Sequence, residues 1–156
     1  MSELPVPALS EFHQKITDVG HFFLDNPEIL LEAPVPTHHF AKGLYSRQLT
    51  MSAGSYVLTR VHRHDNFAFI VQGDCTVYSE DGENYYSAPC MLKTLAGTQR
   101  AISVHNQCTW VTVHSLPPGM DENTDIAEVE HYFACDTYEE YQQLQLETGG
   151  TQEVLS

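Results

Sequence analysis

The chain has 156 residues, a hydrophobic share of 42%, and 7 Lys+Arg against 21 Asp+Glu, a net charge of −14 at pH 7. That length suits one domain with its own core. The charge argues against nucleic acid and anionic membrane surfaces, which both need a basic face, and favours solubility and a neutral or cationic partner.

Residues 1–35 read as an N-terminal arm and helix. Ser10 is placed to cap EFHQKITDVGHFFLDN, where Phe12, Ile16, Val19 and Phe23 form one apolar stripe interrupted by Gly20. EAPVPT follows as an extended, proline-punctuated link. Residues 36–116 change character: short β-rich runs alternate with turn signals, from GLYSRQLTM through YVLTRVHRH, FAFIVQG, CTVYSE, NYYSAP, CMLKTLAG and QRAISV to CTWVTVHSL. Asp81-Gly82 marks a hairpin. This spacing predicts an all-β sandwich or barrel. Residues 117–156 form an acidic extension, in which IAEVEHYFA reads as helix or strand. TYEE fits a capping box opening a short helix with Tyr138, Tyr141 and Leu144 on one side.

Four cysteines, Cys75, Cys90, Cys108 and Cys135, form no CxxC pair, so buried thiols in a reducing compartment are expected. With no leader pattern and no membrane-length apolar run read in the sequence, a cytoplasmic location is expected.

The segment RVHRHDNFAFIVQG carries the candidate chemistry. Side chains two apart in a strand share a face, so His62, His64 and Asn66 point one way and Phe67 and Phe69 the other. Paired imidazoles are good ligands for Zn, Fe, Ni, Cu or Mn but need further ligands to complete a site.

The stretch THHFAKGLYSRQLTMSAGSYVLTRVHRH, with the glycine at 73, SAP and AGTQR, resembles a cupin. Over roughly residues 34–115 it is similar to the cupin-like hypothetical proteins of tailed bacteriophages, through HHFAKGLYSR, the SAG turn, His62, SEDGE, AGTQR, His105 and TWVTVH ending at His114. The resemblance implies an all-β fold: a single cupin-type β-barrel (double-stranded β-helix, or jelly roll), flanked by an N-terminal helix and a short C-terminal helix. It further implies a homodimer or higher homo-oligomer, located in the bacterial host cytoplasm or in the virion. It also sets a departure in relief. The glutamate that follows HxH in metal-binding cupins falls near Asp65 and Asn66, and the second-motif histidine is replaced by Arg100. Arginine cannot ligate a metal, and its fixed charge opposes a divalent ion.

Two readings of the site remain. His62 and His64, completed by His114, would hold Fe, Mn, Ni or Zn; His105 ranks lower because its strand parity is opposite to that of Arg100. Alternatively a metal-free pocket lined by Asn66 and Trp110 uses Arg100 to fork onto a carboxylate or phosphate of a small-molecule ligand. The functions that follow are a phage-type, non-enzymatic protein binding a small anionic ligand or a partner protein, or a metal-dependent dioxygenase, lyase or isomerase acting on a small organic acid. A third is a structural virion or accessory oligomer. The plainer roles are hydrogen-bonded barrel histidines, an Arg100 paired with an acidic neighbour, a core Trp110, exposed His38 and His39, and surface His13, His21 and His131.

Overall fold

The computed structural model describes residues 11–16, 18 and 34–155, with side chains to 147. Ser10, Val19, Gly20, His21 and Phe23 lie outside the described residues. Residues 11–16 and 18 are helical, and Ile16 is buried on that helix. His13, expected on the surface, is only 2% exposed: its ring stacks on Tyr138 at 3.6 Å and faces Glu80 at 3.5 Å.

The remainder is dominated by antiparallel strands: β1 (Thr37–Ala41), β2 (Leu44–Met51), β3 (Tyr56–Leu58), β4 (Val61–His62), β5 (Asn66–Ser79), β6 (Gly82–Ser87), β7 (Cys90–Thr94), β8 (Ala101–Ser115) and β9 (Ala134–Cys135). This is the expected all-β, antiparallel barrel, with helices at both ends. Seven strands make one sheet in the order β1-β2-β8-β5-β6, with β3 on β8 and β7 on β5; β4 pairs only with β9. Turn signals at Gly73 and at His105–Gln107 predict breaks, yet the ladder passes through both. FAFIVQG and CTVYSE join in the 14-residue β5, and QRAISV and CTWVTVHSL join in the 15-residue β8. Bulges between Ile70 and Cys75 absorb the bend.

The bend gives the barrel its two layers. The first half of β5 pairs β7 and the far end of β8, which in turn pairs β2; the second half pairs β6 and the near end of β8, which pairs β3. Met51, Ala68, Ile70, Cys75, Val77, Ile102, Val104, Cys108 and Trp110 meet between the layers in one buried cluster. Even-numbered positions of β8 face inward on both sides of the bulge, and His105 faces out onto Thr76 at 2.7 Å.

Two helices close one end. In α1 (Ile126–Phe133), Asp125 caps by accepting from Ala127 N. Val129 and Phe133, four apart, bury against Tyr45. IAEVEH is therefore helix, and only Ala134–Cys135 extends, as β9. In α2 (Tyr138–Leu155), Thr137 Oγ1 accepts from Glu140 N at 3.0 Å and Glu140 Oε2 reaches back to Asp136 N at 3.2 Å. The helix spans 18 residues, longer than the short helix expected.

Gly73 holds the bend. Its φ is +80°, and a Cβ there would lie 2.0 Å from Gln107 O. Gly54 has the same φ of +80° with open space around it. Gly54→Ala should cost about 1–2 kcal/mol from backbone strain alone. Gly73→Ala adds a backbone clash, so thermal melts should show a clearly larger loss; equal losses would contradict the close-approach role.

Candidate functional site

Alternation along β2 sends Tyr45, Arg47, Leu49 and Met51 inward, and β8 answers with Trp110, Thr112 and His114, so these residues line a cavity of about 1220 Å³. β3 and the segment around Arg100 form its opposite wall, with Val57, Thr59, Ile102 and His62. Three of the four arginines of this acidic chain, Arg47, Arg60 and Arg100, line it.

Arg100 is 8% exposed. Its backbone N donates to Thr59 Oγ1 at 2.9 Å, and its Nη1 donates to Thr94 Oγ1 at 2.9 Å. The guanidinium carbon lies 5.9 Å from the Trp110 ring centroid. Among the described residues no carboxylate forms an ion pair with it, and burial lowers its pKa. Of the two cavity carboxylates, Asp136 pairs with Arg60 at 3.0 Å, and Glu130 lies 3.6 Å from His38, whose pKa is lowered by burial. Arg100 is thus a buried cation held by neutral groups.

His62 is positioned by its backbone. Its N donates to Thr98 O, its O accepts from Gly97 N, and β4 pairs with β9 beside it. Asn66 Nδ2 donates to His64 O at 3.3 Å and lies 3.2 Å from His62 Nδ1. A carbonyl only accepts, so this nitrogen is the amide NH₂, and His62 Nδ1 accepts from it. Neutral His62 therefore carries its proton on Nε2. Desolvation first, then Arg100, His114, Arg47 and Arg60, push its pKa down to about 3. His114 Nε2 lies 2.8 Å from Thr112 Oγ1, whose hydroxyl donates to Arg47 O at 3.4 Å, so His114 is the donor in that pair. Desolvation, then Arg47 and His64, push His114 down to about 4.

The structure brings Arg100, His62, Trp110 and His114 together along the cavity; Asn66, expected to line it, instead sits behind His62, and His64 is turned away. The strand expected over YVLTRVHRH ends at His62, and His64 sits in the bend before β5. Its ring stacks on Tyr132 at 4.4 Å, and Phe133 packs against both His64 at 6.4 Å and His114 at 4.5 Å. Asp65, near the cupin glutamate position, is exposed and accepts from Ala96 N at 2.8 Å. Among the described residues no group of three or more His, Cys, Asp or Glu side chains could hold a metal ion. With His62 Nδ1 engaged by an amide and Arg100 beside the ring, the donor set does not fit the metal that a cupin fold implies.

Several residues at the site are not among those that the motifs single out. Arg47 was visible in the alternation of LYSRQLTM. Thr94 lies on a strand 6 residues before Arg100, with no signal linking them. His38 belongs to β1 rather than to the lead-in before the barrel: its Nδ1 meets Tyr45 OH at 2.7 Å and its Nε2 faces Glu130. Burial holds the Tyr45 phenol protonated, its pKa raised to about 12.

No protein-family model matches the chain, and no curated protein matches it. Solved structures do. A cupin-2 domain-containing protein from Shewanella frigidimarina is 11% identical, with a TM-score of 0.45, covering 60% of this chain and 92% of that one. A double-stranded β-helix protein from Klebsiella pneumoniae is 11% identical at TM-score 0.48, covering 55% and 79%. KdgF from a Halomonas species is 15% identical at TM-score 0.47, covering 55% and 82%. These likenesses are of fold, and no residue role is carried over from them.

Two outcomes follow. Arg100→Met removes a buried charge that lacks a counter-ion, so the ligand-free protein should melt higher, by roughly 2–4 °C per kcal/mol of relieved desolvation; a lower melting temperature would contradict the unpaired-cation description. His62 and His114 have folded pKa values below the ordinary 6.5, near 3 and 4, so the unfolded chain binds more protons between these limits. The stability from keeping them neutral is complete above about pH 6.5 and falls with pH, by up to about 1.4 kcal/mol per unit for each ring. Melting temperature should drop from pH 7 to pH 5, and less steeply in His62→Gln; identical slopes would contradict the neutral, desolvated ring.

Proposed function

We propose that the barrel interior is a receptor site for a small organic anion, and that the protein acts by binding rather than by catalysis. The observation that carries this reading is the buried Arg100 guanidinium with no carboxylate partner among the described residues. A cation so placed costs folding free energy, and an anionic ligand would neutralise it in the low-dielectric interior, where such pairing is strongest. The neighbours suit the same ligand. Arg47 adds positive charge, His62 presents Nε2–H, and of the two nearby carboxylates Asp136 is paired with Arg60. In the setting expected from the sequence resemblance, the protein serves as a ligand-responsive accessory protein of a tailed bacteriophage, working as a homodimer in the host cytoplasm.

Isothermal titration with small monocarboxylates and inorganic phosphate tests the proposal. The expected result is single-site binding that raises the melting temperature and weakens by about 100-fold in Arg100→Met, roughly the loss of a two-pronged charge-assisted contact. Binding unchanged in the variant, or no anion bound by the wild type, would reject it.

A further inference from the structure

The charged groups of the cavity lie toward one end, and strand register places that end alike in both layers. On one wall Tyr45 pairs with His114, Arg47 with Thr112, Leu49 with Trp110 and Met51 with Cys108. On the other wall Thr59 N meets Arg100 O, and Val57 then pairs with Ile102. Arg47 therefore gives way to Leu49 and Met51, as Arg100 gives way to Ile102 beside Val57. The contact of Arg100 with Trp110 brings the two walls together where polar changes to apolar. From Arg47 to Met51 the strand advances about 13 Å at ~3.3 Å per residue.

The volume argues against a bare ion. At about 1220 Å³ the cavity exceeds the ~300–1,000 Å³ typical of drug-sized ligand sites. A formate- or phosphate-sized anion would leave its apolar half to water. Two apolar lining residues, Val35 at 85% and Tyr56 at 75% exposure, carry the greasy wall out to solvent, which gives an apolar chain a route in.

Building on the anion reading of this site, we propose that its ligand is amphipathic: a carboxylate head held by Arg100, beside Arg47 and His62, and an extended apolar chain running between the layers past Leu49 toward Met51. Among the described residues, Nη1 is the one Arg100 side-chain donor that is engaged, with Thr94. Nε and Nη2 remain as an edge that matches the two oxygens of a carboxylate.

Trp110 is the one tryptophan of the chain and lies against Arg100, so its fluorescence reports on the head site. The folded wild-type protein is titrated with formate, butanoate, hexanoate and octanoate below micelle-forming concentrations, and with octanol as the neutral control. The expected result is three- to fourfold tighter binding per added methylene, about 0.8 kcal/mol each, with octanol far weaker than octanoate. Leu49→Gln should flatten the chain-length series while leaving butanoate binding nearly intact. Arg100→Met, checked for folding by its melting curve, should weaken every carboxylate alike. Anions that bind with no chain-length dependence overturn the amphipathic ligand and leave the anion receptor standing. Octanol binding as tightly as octanoate, or no carboxylate binding at all, overturns both.

Discussion

The site is organised around one unusual interaction: a guanidinium buried inside a β-barrel and held by a hydroxyl and an indole face. A charge in such a place costs free energy unless it is paired, and Arg100 has only Thr94 Oγ1 and the Trp110 ring for its head group among the described residues. Thr59 Oγ1 fixes its backbone, and the ladder of β3 on β8 fixes the strand it opens. Burial keeps His62 and His114 neutral, helped at His62 by this charge and at both rings by that of Arg47. The same cation that makes a cupin metal centre unsuitable here makes an anion site suitable, so both halves of the functional reading come from one residue.

The overall charge pointed away from this pocket. A chain of net charge −14 is expected to favour neutral or cationic partners. Yet most of its arginines line one cavity, where Asp136 pairs with Arg60 and Glu130 faces His38 at 3.6 Å. The local field in a low-dielectric cleft, rather than the net charge, governs what binds there.

Much of the fold was legible in the sequence because alternation and turn chemistry are local signals. Asp81-Gly82 marked its hairpin, TYEE marked its helix, and the β-rich runs mapped onto strands. What was not legible was continuity. Gly73 and the HNQ stretch look like breaks, but a positive-φ glycine and bulges let β5 and β8 run on through a bend that only the partner strand stabilises. The site divides in the same way. Arg100, His62, Trp110 and His114 could be named from motif and parity. The departure of His64 could not, since it depends on β4 ending at His62 to pair with β9, 72 residues later. Thr94 as the seat of Arg100, and His38 as the partner of Tyr45, are likewise contacts between strands that no local pattern encodes.

The central claim, that Arg100 is the anion receptor, is tested most directly at the guanidinium itself. In a ¹⁵N–¹H spectrum of the arginine side chains, titration with octanoate should move one Nε–H signal, the one missing in Arg100→Met, saturably and by more than the others. A signal that stays still while octanoate binds, or arginine signals that all drift together with ionic strength, would contradict the account.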